Sequence, residues 1–364
     1  MNRFTLTFLL VLITLFGFSQ TIQTRDSTAI MYKLTENVFV IIHDDATDEW
    51  PHGNTGVIVD AEGVFVIDAC YLPSRARADI ELIRSVTKAP VKYLAFTHWH
   101  FDHNNGAIAY KEAFPDITII SERESQKYIE LNANWWSKMS TKANGQRNKS
   151  LNELIAETEK GIDTVSGKPF TAEEITKRKR SIAMRKNEMQ ELKDLKVIKP
   201  DKTFDNELTI QLGKRTVILK DHICANSPHD VTFYLPDEKI LFAGDIIVQT
   251  PLPYVGASWP VTWIDALKKI ENTPVTFLIP GHGPALRDHS YTNHLRTFFE
   301  SINSKVELFI REGLTLDEIQ SRIDMSDFNS GIWAPPLVTK DDWNYTVSTI
   351  TERAWRCIRG QGGK

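Results

Sequence analysis

A layered α/β fold is what this 364-residue sequence predicts, and three observations predict it. Short apolar runs of strand length recur between turn signals and stretches of helical spacing. Several of those runs end in His or Asp: Asp68, the stretch His98 to His103, Asp245 and His282. Strand ends on one edge of a layered α/β structure converge, and that edge is where such folds bind ligands.

In chain order, Asn2 and Arg3 supply one positive charge, and Phe4 to Phe18 is almost wholly apolar. Small residues, Gly17 and Ser19, stand at −3 and −1 of a cut before Gln20. That is the pattern of a secretory signal over residues 1–19. The apolar run falls short of the roughly 20 residues a spanning helix needs, so no stable membrane insertion is expected after cleavage. The mature chain is expected outside the cytosol, most simply in a bacterial periplasm.

Strands are expected at Val38–Ile42, Thr55–Val59 and Val64–Ile67, the last two joined by the hairpin-type turn Asp60-Ala61-Glu62-Gly63. Helical spacing at 74–87 leads through Pro90 to a strand, Val91–Thr97. A helix over 105–114 and a strand at Ile117–Ile120 follow. From about 121 to 200 charged and polar residues dominate and no strand pattern appears, which predicts a helical insertion covering or bordering the site. Within it, Thr171 and Glu174 form a capping box, Phe170 and Ile175 a hydrophobic staple, and Ile175, Ile182, Met189 and Leu192 one apolar stripe. Glu173 and Glu174 precede Lys177 and Arg178 by four residues, so the basic run reads as a solvated helix face. Strands resume at Leu208–Leu212, Val217–Lys220, Val231–Leu235 and Ile240–Ala243. A helix over 262–272 precedes the strand Val275–Ile279, and 291–364 is a helical extension.

Hydrophobic residues at 41% suffice for a substantial core, and a net charge of −4 gives no sign of nucleic-acid or anionic-membrane partners. Three scattered cysteines, Cys70, Cys224 and Cys357, are too few for a disulfide framework.

The chemistry concentrates in Thr97-His98-Trp99-His100-Phe101-Asp102-His103, which follows directly on an apolar run. Three imidazoles and a carboxylate within six positions suit zinc and its neighbours. With Asp245 after Ala243-Gly244 and His282 between glycines, four strand ends offer His and Asp. A two-metal hydrolytic site needs such a set: cations about 3.5–4 Å apart share a bridging carboxylate, activate water and hold the developing oxyanion.

Asn54-Thr55-Gly56, Ile67-Asp68, Thr97 through Gly106, Phe242-Ala243-Gly244-Asp245 and Pro280-Gly281-His282-Gly283 together resemble the metallo-β-lactamase-fold hydrolase superfamily, over about residues 34–290. The resemblance implies a four-layer αββα sandwich within a catalytic domain spanning 20–290. It implies that His98 and His100 bind a first metal and that Asp102, His103 and His282 bind a second. Asp245 would bridge them, and Asp68 would orient a ligand from behind. Zinc is the expected metal, with iron and manganese as open alternatives. The substrate would be a small ester, lactone, thioester, amide or phosphodiester, attacked by hydroxide generated on the metal, with Asp102 orienting it and taking its proton.

One position departs from the pattern. The superfamily's third histidine for the first metal matches Asn226 here, with His229 three residues later. Either His229 (or His222) reaches in, or the first site keeps two imidazoles and is weak. A three-residue shift crosses a strand start, so the weak site is preferred, giving one tight and one weaker metal. The aspartate at 245 resembles the glyoxalase II, lactonase, alkylsulfatase and phosphodiesterase branches, whereas zinc β-lactamases have Cys or Ser there. A β-lactamase and a metal-binding protein with reduced catalysis are the alternatives. Trp50, Trp99, Trp135, Trp136 and Trp259 are candidates for lining an apolar substrate groove.

Overall fold

A computed structural model describes residues 21–23, 28–43, 52–139, 151–164, 166–193, 195–249, 252–253, 255–333 and 338–362, without the side chains of 132–139 and 332. The signal segment, Trp50 and the side chains of Trp135 and Trp136 lie outside these residues. No described helix is long and apolar enough to cross a membrane.

Eight strands form one sheet in chain order: β1 (Thr21–Gln23), β2 (Ala29–Lys33), β3 (Val38–His43), β4 (Thr55–Asp60), β5 (Gly63–Ile67), β6 (Val91–Ala95), β7 (Thr118–Glu122) and β8 (Lys202–Phe204). The first five pair antiparallel and the last three continue parallel. Parallel neighbours need crossovers, supplied by α1 (Pro73–Val86), then α2 (Phe101–Asn104) with α3 (Ala107–Ala113), then the insertion. The insertion comprises α4 (Arg123–Met139), α5 (Leu151–Lys160) and α6 (Ala172–Leu192). The capping box on α6 is formed as expected, with Thr171 and Glu174 each bonding the other's backbone N–H. Phe170 packs under the guanidinium of Arg178, 4.1 Å from ring centre to carbon.

The second sheet has five strands: β9 (Glu207–Leu212), β10 (Arg215–Ile223), β11 (His229–Leu235), β12 (Ile240–Val248) and β13 (Phe277–His282). Its last pair is parallel, crossed over by α7 (Pro260–Glu271). The tail supplies α8 (Ser290–Arg311), α9 (Leu316–Arg322) and α10 (Lys340–Ile358).

Strand alternation sorts the apolar side chains into three layers. Phe65 and Ile67 face the second sheet's Phe233, Phe242 and Ile279. Their neighbours Val64 and Val66 face Ile80 and Ile83 of α1 and Tyr110 of α3. On the far side, Leu241 and Leu278 meet Trp263 of α7, Phe298 of α8 and Ile350 of α10. The order is therefore helices, sheet, sheet, helices, the αββα sandwich the resemblance implied. The tail helices share the α7 core and form the outer layer of the second half.

Three expectations are corrected. Strands β1, β2 and β8 were not foreseen; β1 and β8 are only three residues long. The strand expected to stop at Ala243 runs to Val248. Asp245 therefore lies within a strand, where the β12–β13 register shifts on either side of Gly244.

Candidate metal centre

Local backbone geometry aims the candidate ligands. Past β5 the chain turns through Asp68 at φ 61° and Cys70 at φ 49°, an unusual region for residues with a Cβ. Gly244 sits at φ 52°, and a Cβ there would lie 2.6 Å from Thr97 Cβ. The register shift at this glycine is a bulge, a device that re-aims a side chain, and here it points Asp245 inward. Gly281 passes close above: a Cβ on it would lie 2.0 Å from Asp245 Oδ1.

Two groups of ligand atoms meet around Asp245, each with its atoms within 4.8 Å of one another. His98, His100 and Asp245 form the first; Asp102, His103, Asp245 and His282 form the second. Asp245 divides its oxygens between them. Oδ2 is 3.7 Å from His98 Nε2, while Oδ1 is 3.3 Å from His103 Nε2 and 3.6 Å from His282 Nε2. His282 Nε2 also lies 3.1 Å from Asp102 Oδ2, and His98 Nε2 lies 2.8 Å from His100 Nδ1. All six side chains are buried.

Asp68 and Thr97 fix the ring tautomers. Asp68 Oδ1 accepts from Thr97 N at 2.7 Å, and Oδ2 accepts from Thr97 Oγ1 at 2.8 Å. With its proton committed to Asp68, the Thr97 hydroxyl accepts from His98 Nδ1 at 3.0 Å, leaving the His98 Nε2 lone pair for a ligand. His103 Nδ1 donates to Asp68 Oδ2 at 2.7 Å, which frees its Nε2 in the same way. One carboxylate thus sets a histidine in each group, the role expected of Asp68 toward one. Metal-ligating histidines need such partners.

The electrostatics call for positive charge. Burial alone would lower His103, but the carboxylates of Asp245, Asp102 and Asp68 outweigh it and raise its pKa well above 6.5. Burial would raise Asp102 and Asp245, yet His103 and His282 outweigh it and hold both carboxyls below 3.8. Burial keeps His98 and His100 neutral, below the usual imidazole range. Asp245 Oδ1 and His103 Nε2 have no well-formed hydrogen bond despite full burial. Buried carboxylates converging with imidazoles on such atoms fit one or two divalent cations.

His229 is not brought to His98 and His100. Its Nδ1 lies 2.9 Å from Asp221 Oδ2 and 3.6 Å from Glu122 Oε2. His222 Nε2 pairs with Thr232 Oγ1 at 3.0 Å. Asn226 is fully buried in the turn between β10 and β11. Of the described tryptophans named as groove candidates, Trp99 lies 4.6 Å from the His100 ring, while Trp259 lies under Arg353.

Sequence reasoning gave no role to the strap at 53–54. Gly53 N donates to Asp102 O at 3.0 Å, and Asn54 Nδ2 donates to Pro280 O and Gly283 O at 2.9 and 2.8 Å. A Cβ on Gly53 would touch the His103 ring at 2.4 Å. Helix α6 of the insertion reaches the segment that follows Asp68, where Glu188 accepts from Tyr71 and Glu191 from Ser74.

Residues 48–302 match the metallo-beta-lactamase superfamily. A linear primary-alkylsulfatase of Pseudomonas sp. (strain ATCC 19151) is 23% identical over 285 residues, 74% of this chain and 49% of that protein. The chain spans about half the length of that relative. The stereoselective inverting sec-alkylsulfatase Pisa1 from Pseudomonas sp. superimposes with a TM-score of 0.62 at 14% identity, over 91% of this chain and 50% of that one. A metallo-beta-lactamase from Pontibacter korlensis does so with a TM-score of 0.50 at 16% identity, over 75% and 99%. At these identities the structural likeness speaks for the fold.

Proposed function

The chain belongs to the metallo-beta-lactamase superfamily, and from that premise we propose that it is a metal-dependent hydrolase of small ester-type substrates, with linear alkyl sulfate esters as the leading class. The observation that carries the hydrolase reading is the division of Asp245, one oxygen toward each histidine group. The 23% identity to a linear primary-alkylsulfatase supports the substrate class.

His98 and His100 would hold one cation and Asp102, His103 and His282 another, with Asp245 between. The cations would polarise the scissile group and make water acidic enough to attack at neutral pH. Asp68 and Thr97 keep the Nε2 atoms of His98 and His103 free to ligate. Asp102, held ionised, would accept a hydrogen bond from the attacking water, take its proton and return it to the departing alcohol oxygen. Trp99, packed on His100, offers an apolar wall for an alkyl chain. The burial of the six ligands limits side access of bulk water.

Zinc is the metal this donor set favours, and iron and manganese accept the same donors. The test is sulfate release from a linear primary alkyl sulfate by zinc-loaded protein, beside lactone, thioester, phosphodiester and nitrocefin assays. Turnover of the sulfate ester, lost in His103→Ala, is expected. Turnover of nitrocefin alone would establish the β-lactamase reading. A second reading, a metal-binding protein with reduced catalysis, is favoured by the two-imidazole first group and Asn226; no turnover of any substrate by metal-loaded protein would establish it. Export remains part of the proposal: mature protein should begin near Gln20, and mass spectrometry finding Met1–Ser19 on membrane-bound protein would refute it.

A further inference from the structure

Behind the Asp68 turn, three side chains from separate elements meet in the core of the first half. They are His43 at the end of β3, Cys70 past the end of β5, and Asp79 on α1. Each residue is at most 5% exposed. One ligand atom from each lies within 4.8 Å of the other two. His43 Nε2 stands 3.2 Å from Asp79 Oδ2, an oxygen that also accepts from Thr55 Oγ1 at 3.0 Å.

The polar atoms here are poorly satisfied. Asp79 Oδ1, both ring nitrogens of His43 and the hydroxyl of Tyr110 on α3 are buried without a hydrogen bond. Buried polar groups are rarely left so, and each costs free energy comparable with a lost hydrogen bond. A protonated His43 paired with Asp79 would balance charge, but it leaves Asp79 Oδ1 and the Tyr110 hydroxyl unmet. A thiolate, a carboxylate and a neutral imidazole sum to −2, so a divalent cation would make the cluster neutral, as an apolar core demands. Thiolate, imidazole and carboxylate are also the three donor types that zinc takes.

We propose that His43, Cys70 and Asp79 hold a divalent transition-metal ion of the zinc type, distinct from the two ligand groups around Asp245. On binding, the Cys70 S–H bond breaks, its proton leaves to solvent, and the sulfur donates an electron pair to the cation without redox change. The role follows from what the turn carries. Gly106 N donates to Cys70 O at 3.2 Å, and Ala69 N donates to His103 O at 2.8 Å. An ion on Cys70 would pin the positive-φ turn that presents Asp68 to Thr97 and His103.

The other two cysteines, Cys224 and Cys357, are only partly buried. In full-length Cys224→Ser/Cys357→Ser protein, Cys70 is therefore the sole thiol. Loaded with cobalt(II), this protein should show the intense near-ultraviolet sulfur-to-cobalt charge-transfer band. Adding Cys70→Ser should abolish the band and remove one cobalt per chain. Absence of the band from the single-thiol protein, or its persistence after Cys70→Ser, would overturn the proposal. Should Cys70→Ser fail to fold, the single-thiol protein decides alone, because any such band in it must come from Cys70. Asp79→Asn in the same protein should weaken cobalt binding at least tenfold, and unchanged binding would likewise count against the site.

Discussion

Thr97 governs more of the centre than its size implies. It stands between Asp68 and His98, and through Asp68 it shares a carboxylate oxygen with His103. Thr97→Val keeps the shape and removes the relay, so the His98 ring loses the acceptor that fixes its tautomer. Loss of such a partner typically costs about 10–100-fold in metal affinity. Zinc titration of the apo variant should find that loss chiefly in the His98–His100 group; unchanged affinity would mean the tautomer is set elsewhere. Asn226 gives a second residue-scale prediction. Asn226→His should add a tightly held metal, because imidazole is a far better zinc donor than an amide. His229→Ala should change metal content little, since its Nδ1 is engaged by Asp221. If His229→Ala instead emptied a tight site, His229 would be the third ligand. The His98–His103 run was legible because ligation demands nitrogen and oxygen donors and these lie within six positions. The Thr97 relay was not, because a hydroxyl's use depends on which carboxylate arrives from 29 residues away.

At the scale of elements, the centre depends on one irregularity. A regular β12 would alternate its side chains from Ile240 onward; the shifts around Gly244 break that alternation where Asp245 must turn inward. Gly244→Ala meets two obstacles at once, a left-handed φ of 52° and a methyl 2.6 Å from Thr97 Cβ. A Cβ at such a φ costs about 1–2 kcal/mol before any clash. The expected outcome is a folded protein with Asp245 displaced and metal lost from both groups together, read by metal content against circular dichroism. Loss from one group only would show that Asp245 does not bridge. The sequence marked Gly244-Asp245 as a strand end because a glycine after four apolar residues reads as a stop. A bulge inside a longer strand needs the partner β13 to be seen. By contrast the α6 cap was legible, since a capping box is a local exchange between Thr171 and Glu174.

For the whole molecule, the layer order was legible through the superfamily resemblance alone: Val64 to Ile67 is apolar throughout, so the sequence does not say which sheet face Phe65 or Val66 takes. What the tail helices pack against was not, because an amphipathic stripe does not name its partner; α8 and α10 close the second half over α7. That half also contains a buried titratable group unconnected to the centre, and it is expected to set a pH limit on folding. His222 lies in β10, buried and bonded to Thr232. Burial first, then Lys269 and Lys220, push its pKa down to about 3. In the unfolded chain the same ring takes a proton near pH 6.5. Between those values the unfolded state binds a proton that the folded state refuses. Stability is therefore unaffected above about pH 6.5 and falls with pH below it, by about 1.4 kcal/mol per unit until pH approaches about 3. His222→Gln cannot titrate but can still donate to the Thr232 hydroxyl. Denaturant unfolding of both proteins at pH 7, 5.5 and 4.5 cancels every histidine they share, including those of the centre. The stability difference should move in the variant's favour at each step, by roughly 1–3 kcal/mol in total over that range. A difference constant from pH 7 to 4.5 would mean that folded His222 accepts its proton as readily as the unfolded chain, and that its burial does not limit acid stability.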